Sequence, residues 1–187
     1  MSERMFIAIW ADEVADRIHQ LQERLRRAGG DVRWVSPDQL HLTLKFLGET
    51  TLLQSASVCR AMARVASRHE AFEVEVIGAG AFPDAERPRT LWAGVGGGGD
   101  QVTQLHLDLD DALADLHYPR ESRFTPHVTV GRVRSQRNRE GICEQLEKDV
   151  RFEVGTVGVE EICLVTSRLE PEGPIYEVIG RVPLGGE

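Results

Sequence analysis

The chain has 187 residues, of which 41% are hydrophobic and 28% charged, and this composition is typical of a folded globular protein with one large domain or two small lobes. Its formal net charge of -8 argues against broad, sequence-independent binding of duplex nucleic acid, because an acidic surface repels a phosphate backbone. Three widely spaced cysteines, an odd number, give neither a disulfide framework nor a zinc-ligand cluster.

The sequence also gives an expectation about location. No apolar stretch approaches the roughly 20 residues that would span a bilayer. The segment from Met1 to Ala8 lacks the long apolar run of a secretory signal. We therefore expect a cytoplasmic protein without a membrane contact.

The first half of the chain alternates strand and helix patterns. A strand is predicted over residues 5–10, after which Asp12 has the residue type and position of an N-cap for a helix that ends at Gly29-Gly30. Alternation and apolar spacing then predict strands over 32–35, 40–47, 72–76 and 90–95 and a helix over 52–67. Gly48 is predicted to end the strand over 40–47.

The second half repeats these patterns after a loop at residues 96–99, whose four glycines lack the spacing and the Lys-Ser/Thr of a phosphate-binding loop. Helices are predicted over 101–116 and 139–147, and strands over 124–133, 152–157, 160–167 and 176–182. Many strands with few helices indicate an α+β architecture, in which antiparallel sheets carry helices on one face.

Two tetrads of the form His-apolar-Thr-apolar stand about half the chain apart. The first tetrad is His41-Leu42-Thr43-Leu44 and the second is His127-Val128-Thr129-Val130. Each falls in a predicted strand, so His and Thr share one face and the apolar residues face a core. The flanks show little further identity, so any internal repeat is weak.

If the two strands lie side by side, two imidazoles and two hydroxyls line one cleft. Such a set can hydrolyse a phosphodiester without a metal. One neutral histidine takes the proton of a water while the other, as imidazolium, protonates the leaving oxygen. Thr43 and Thr129 can donate to the non-bridging oxygens. A single His-x-Thr in a strand is commonplace, but two tetrads are much rarer by chance.

A basic segment surrounds the second tetrad. Six arginines and only one acidic residue, Glu121, lie between Pro119 and Arg139. The segment is either a solvated face or a local contact for a nucleic-acid phosphate near His127.

The tetrads and their flanks resemble the 2H phosphoesterase superfamily, specifically its bacterial and archaeal branch of RNA 2',3'-cyclic phosphodiesterases, also called 2'-5' RNA ligases. The resemblance runs nearly end to end and rests on residues 4–8 (RMFIA), 33–35 (RWV), 40–49 (LHLTLKFLGE), 80–83 (GAFP), 91–92 (LW), 124–132 (FTPHVTVGR) and 164–167 (LVTS).

The resemblance implies a single 2H domain over residues 1–187 with two similar, intertwined lobes and one histidine motif from each lobe in a shared cleft. It implies hydrolysis of 2',3'-cyclic phosphate ends of RNA to 2'-phosphates, reversible as 2'-5' ligation, with His41 and His127 as catalytic residues and no cofactor. By position, Phe46 matches an aromatic residue that stacks on the terminal base, and Arg132 matches an arginine near the phosphate.

The offsets of Phe46 and Arg132 leave alternatives open. Each lies five positions after its histidine, an odd number that would put it on the opposite face of a regular strand. Phe46 is therefore either a core residue or is turned to the cleft by a bulge. Arg132 is either a phosphate ligand or a solvated charge, with fraying of the strand at Gly131 as one route to the cleft. Lys45, at an even offset, is expected on the cleft face or exposed at a strand end.

Other functions are weighed against this one. A related enzyme could act on a small cyclic phosphate such as ADP-ribose 1'',2''-cyclic phosphate, and a non-catalytic nucleotide-binding module could keep the cleft. The sequence shows no ligand spacing typical of a metal site. It implies no protein partner, so a monomer is expected, and it does not decide which histidine is acid and which is base. His19, His69, His106 and His117 are interpreted as surface or capping residues.

Overall fold

The computed structural model describes residues 2–185 as nine strands and four helices. The strands are Ser2–Trp10 (β1), Val32–Trp34 (β2), His41–Thr51 (β3), Phe72–Phe82 (β4), Thr90–Val95 (β5), His127–Val133 (β6), Glu153–Val159 (β7), Glu161–Glu170 (β8) and Gly173–Pro183 (β9). The helices are Ala15–Arg27 (α1), Leu52–Ala66 (α2), Gly99–Ala114 (α3) and Arg139–Lys148 (α4). None of these four helices is both long and apolar enough to cross a membrane.

All strands join one curled antiparallel sheet in the order β7-β4-β5-β6-β3-β1-β8-β9, with β2 added to β6. The two tetrad strands, β3 and β6, are neighbours in the middle and share a single residue pair, Leu42 with Val128. This narrow junction divides the sheet into two halves, β3-β1-β8-β9 and β6-β5-β4-β7. The chain crosses between the halves more than once, because β8 and β9 complete the half that β1 begins. The predicted α+β class is confirmed.

The main hydrophobic core lies on one face of the sheet. Helices α2 and α3 pack behind the first half and α1 and α4 behind the second. The apolar residues of both tetrads point into this core and are at most 3% exposed. With all four helices on that face, the opposite face stays open and forms the cleft. A small second cluster on the cleft face contains Phe6, Ala8, Cys163 and Val165.

Several element ends differ from the sequence prediction. Asp12 does not cap α1 with its side chain but lies in a 3-10 turn that precedes the helix. β3 does not end at Gly48 but continues to Thr51, and Gly48 adopts a φ of 69° within the strand. Thr51 then caps α2 through a reciprocal pair of bonds with Gln54. The sequence predicts a strand end at this glycine, because it does not show whether the strand bends there and continues.

Candidate active site

The histidines and threonines of both tetrads lie on the cleft face. His41, Thr43, His127 and Thr129 are half-buried, whereas the residues between them are buried in the core. The pairing of Leu42 with Val128 is antiparallel. His41 and Thr43 flank this pair on β3, and His127 and Thr129 flank it on β6. The four side chains therefore lie around one junction of the sheet.

A hydrogen bond to the backbone fixes the orientation of each imidazole. His41 Nδ1 lies 2.7 Å from the carbonyl oxygen of Gln39, and His127 Nδ1 lies 2.7 Å from that of Thr125. A carbonyl can only accept, so Nδ1 is the protonated nitrogen in both rings. Nε2 is therefore left in each ring as the nitrogen that can accept or donate a proton in the cleft.

Burial favours the neutral form of both histidines in the free protein. It lowers the pKa of His41 to about 4, with smaller lowering effects from the charges of His127 and Arg132, while the bond to Gln39 opposes the shift. Burial also has the largest effect on the pKa of His127 and lowers it. The bond to Thr125 opposes this shift, and the charge of Arg132 adds to it. An anionic substrate would raise both values and favour protonation of one ring.

Aromatic rings form much of the wall around His41. Its ring centroid lies 4.9 Å from that of Phe6, 5.5 Å from Trp10 and 5.3 Å from Tyr176, the last two edge-to-face. These rings displace water and explain why desolvation has the largest effect on the pKa of His41.

The wall around His127 is thinner. Phe82 contacts His127 edge-to-face at 4.8 Å, and Trp92 lies 6.4 Å away.

Sequence reasoning missed Phe6, Tyr176 and Phe82 as parts of the site. The sequence gave one local signal for Phe6, its spacing of two residues from Ala8, which places both side chains on the same face of β1.

A β-bulge turns Phe46 toward the cleft. In the β1–β3 ladder Ala8 pairs with Thr43 and Ile7 with Lys45, so Leu44 is skipped. Beyond this bulge the alternation is reversed. Phe46 is 65% exposed, and its ring centroid lies 6.3 Å from that of Phe6. Phe46 is therefore not a core residue.

The same bulge buries Lys45, which contradicts the expectation of a cleft-facing or exposed side chain. Lys45 is 1% exposed and forms an ion pair with buried Asp110 of α3. Its ammonium also donates to the carbonyl oxygen of Pro119 at 2.5 Å and lies 3.8 Å from a carboxylate oxygen of Glu121. Lys45 thus ties β3 to α3 and to the segment that leads into β6.

A second β-bulge turns Arg132 toward the cleft. In the β5–β6 ladder Trp92 pairs with Thr129 and Leu91 with Gly131, so Val130 is skipped. Arg132 is exposed, and its positive charge lowers the pKa of both catalytic candidates. The strand does not fray at Gly131 but runs to Val133. A Cβ on Gly131 would lie 2.7 Å from Cγ1 of Val32, so glycine is needed here for β2 to pack.

The carbonyl of each skipped residue accepts a hydrogen bond from a buried helical side chain. His106 of α3 donates from Nδ1 to Leu44 O at 2.7 Å, and Gln22 of α1 donates from Nε2 to Val130 O at 2.9 Å. His106 is 1% exposed and stacks on Phe124 at 3.9 Å, so its interpretation as a surface or capping residue is wrong.

The chemistry available in the cleft is acid-base catalysis with hydrogen bonding to an anion. Two imidazoles present Nε2, two threonine hydroxyls lie on the same face, and the guanidinium of Arg132 supplies a positive charge. Within residues 2–185 no group of three or more His, Cys, Asp or Glu side chains is placed to hold a metal ion.

Several known proteins are similar to the chain in sequence and fold. The sequence model described as LigT-like phosphoesterase matches residues 7–92 and 95–176. RNA 2',3'-cyclic phosphodiesterases of Methanothermobacter thermautotrophicus and Aquifex aeolicus are each 36% identical to the chain, with 94% of it covered in both cases and 96% and 92% of the relatives. A solved Thermus thermophilus structure has a TM-score of 0.81 at 28% identity, with 98% of this chain and 99% of that one covered. Escherichia coli LigT complexed with 3'-AMP has a TM-score of 0.76 at 25% identity and the same coverage.

Proposed function

The chain belongs to the LigT-like phosphoesterase family, and from this premise we propose that it is an RNA 2',3'-cyclic phosphodiesterase. It opens the 2',3'-cyclic phosphate at the end of an RNA to a 2'-phosphate. The relatives that carry this name match nearly the whole chain. The observation that carries the proposal is the pairing of Leu42 with Val128, because this contact brings two imidazoles from distant parts of the chain to one cleft.

The reaction needs one base and one acid. One histidine accepts through Nε2 a proton from water as the water oxygen bonds to phosphorus. The bond from phosphorus to the 3'-oxygen breaks, and the other histidine, protonated at Nε2, gives its proton to that oxygen. The proton taken from water and the proton given to the ribose balance, so no metal or other cofactor is required.

The remaining groups stabilise charge and position the RNA end. Thr43 and Thr129 donate to the non-bridging oxygens, whose negative charge grows in the transition state. Arg132 contributes a charge-assisted bond to the same phosphate. Phe46, exposed at the rim of the cleft, stacks on the terminal base.

The same site could also serve ligation. The 5'-hydroxyl of a second RNA end can take the place of water: one histidine removes its proton as its oxygen bonds to phosphorus, the bond to the 3'-oxygen breaks, and the other histidine protonates that oxygen, which leaves a 2'-5' linkage. Hydrolysis dominates because water is abundant and a second RNA end must be positioned. The proposal includes one 2H domain over residues 1–187, acting as a monomer in the cytoplasm.

Phosphorus NMR of the reaction product tests the function. The protein is incubated with a short RNA ending in a 2',3'-cyclic phosphate in the presence of EDTA, and the 2'-phosphate is the expected product. The double variant His41→Ala/His127→Ala is the control for contaminating activity. A requirement for added divalent metal would contradict the mechanism. A strong preference for ADP-ribose 1'',2''-cyclic phosphate over the RNA would overturn the substrate.

A further inference from the structure

Two arginines lie directly opposite each other beside the cleft. In the antiparallel ladder between β2 and β6, Arg33 pairs with Arg132. Directly opposed residues point to the same face of a sheet, and like charges in such positions destabilise it. An opposed pair of cations therefore suggests an anion that binds between or across them.

The orientation of Arg33 follows from its neighbours on β2. Val32 and Trp34 lie against the position of Gly131 and pack on the main core, so Arg33 projects from the other face, the cleft face. The charges of Arg132 and Arg33 both lower the pKa of Tyr176, a ring that contacts His41, against the larger raising effect of burial. Within residues 2–185 neither guanidinium forms a salt bridge with a carboxylate.

A cavity of about 550 Å³ continues from Arg33. It lies between β2 and the turn that joins β8 and β9, and its wall includes Trp34, Gln39 and Pro174. Gln39 connects this cavity to the active site, since its carbonyl accepts from His41 Nδ1 while its side-chain amide donates to Pro174 O at 2.7 Å. Glu170 and Glu172 also line the cavity. These two carboxylates disfavour an anion near them, which leaves Arg33 as the place for a phosphate.

We propose that Arg33 binds the phosphate that precedes the terminal nucleotide, with the preceding nucleotide in this cavity. The inference rests on the proposed function and deepens it, because it makes a chain of RNA rather than a mononucleotide the preferred substrate. Two neighbouring phosphates need two cations side by side, and a nucleoside 2',3'-cyclic phosphate uses only Arg132. The opposed arginines also give an overall acidic protein a local positive site for an RNA backbone.

The variant Arg33→Gln tests this role. The measured quantity is kcat/KM for a trinucleotide with a 2',3'-cyclic phosphate divided by kcat/KM for 2',3'-cyclic AMP. We expect this ratio to fall about tenfold, the size of one lost hydrogen bond to a charged group. The salt dependence of log KM for the trinucleotide should become shallower by about 0.7, the effect of one phosphate contact fewer on a single strand. Arg33→Lys, which keeps the charge, should retain most of the ratio.

The matched control is Arg64→Gln, an exposed arginine on α2 that should leave the ratio and the salt dependence as in the wild type. Thermal unfolding monitors folding, and Arg33→Gln should unfold at the wild-type temperature or above it, since the substitution removes a repulsion with Arg132. An unchanged ratio, or equal losses on both substrates, would overturn the role of Arg33. Neither result touches the proposed function, whose failure would show separately, as hydrolysis of both substrates by the double histidine variant.

Discussion

Strands β3 and β6 contain the same backbone irregularity, a β-bulge, but carry different side chains around it. In each strand a histidine donates to the carbonyl two residues before it, and the ladder skips the residue three positions after it. The residue five positions after the histidine then faces the cleft. That residue is an aromatic ring, Phe46, in β3 and a cation, Arg132, in β6. One half of the sheet therefore presents a stacking surface for a base and the other a charge for a phosphate.

The residue four positions after each histidine differs even more. In β3 it is Lys45, whose buried charge is tied to Asp110 and Pro119. In β6 it is Gly131, whose missing side chain makes room for β2. The first half is thus anchored to its helix by an ion pair, whereas the second half is open to an added strand that carries Arg33. Two strands with the same bulge are thus stabilised by different contacts.

The largest effect should come from the histidines themselves. His41→Ala and His127→Ala should each lower kcat by about 10³-fold, within the range that a general acid or base contributes. The measurement is kcat for 2',3'-cyclic AMP with chelator present. His19→Ala, an exposed histidine on α1, should keep the wild-type kcat. If one histidine variant lost less than about tenfold, paired acid-base catalysis would be wrong, since that loss lies below the range for one such group.

The anchor of the first half should matter for stability. Lys45→Met should lower the free energy of unfolding by about 3 to 5 kcal/mol, because it leaves the buried carboxylate of Asp110 without its partner. Urea unfolding measures the loss. Asp110→Leu added to Lys45→Met should recover part of it. The control is Arg120→Met, whose exposed pair with Asp111 should contribute little. A Lys45→Met protein as stable as the wild type would show that the ion pair does not anchor β3.

The two bulges can be tested through their helical donors. His106→Leu should cost about 1 to 3 kcal/mol, the penalty for a buried carbonyl without a donor. Gln22→Leu should cost less, because Val130 O also accepts from Val35 N at 3.1 Å. We expect His106→Leu to raise KM through a misplaced Phe46. Urea unfolding and KM are the readouts, and His19→Leu is the control. Wild-type stability and KM in His106→Leu would mean that the first bulge does not depend on its donor.

The bulges also mark where the sequence stops predicting the site. Alternation within a tetrad is a local property, so the shared face of His41 and Thr43 follows from the sequence alone. A bulge depends on the neighbouring strand and on a distant donor, as Leu44 depends on His106 and Val130 on Gln22. The sequence could therefore state that Phe46 needs a bulge but could not place one. The pairing of Arg33 with Arg132 has the same long-range origin.

A smaller effect is expected at the rim of the first half. Phe46→Ala should raise KM for 2',3'-cyclic AMP about fivefold, near the lower end for a lost base stack. Its free energy of unfolding should stay near that of the wild type, because the side chain is 65% exposed. Leu53→Ala, an even more exposed apolar residue on α2, is the control. A fall in kcat without a change in KM would assign Phe46 to the chemical step instead of binding.

The pH dependence sharpens the comparison of the two histidines. The productive enzyme holds one neutral and one protonated imidazole, and kcat/KM reports the pKa values of the free protein. Burial lowers both values, that of His41 to about 4 and that of His127 below 6.5. As the pH rises through the higher of the two pKa values, the one proton that the acid must carry is lost. As the pH falls through the lower value, the ring that must act as the base becomes protonated. The plot of kcat/KM against pH should therefore be a bell with its maximum below 6.5.

Arg132→Gln should move this bell to higher pH. The charge of Arg132 lowers the pKa of both histidines, so its removal raises both. Its lost phosphate contact should also lower the maximum of kcat/KM about tenfold. Arg64→Gln should leave the bell in place. A bell at unchanged or lower pH in Arg132→Gln would mean that this guanidinium does not act on the imidazoles, and Arg132 would then be only a ligand for the phosphate. The plot of kcat should peak at higher pH than that of kcat/KM, because the bound phosphate raises both pKa values by its negative charge.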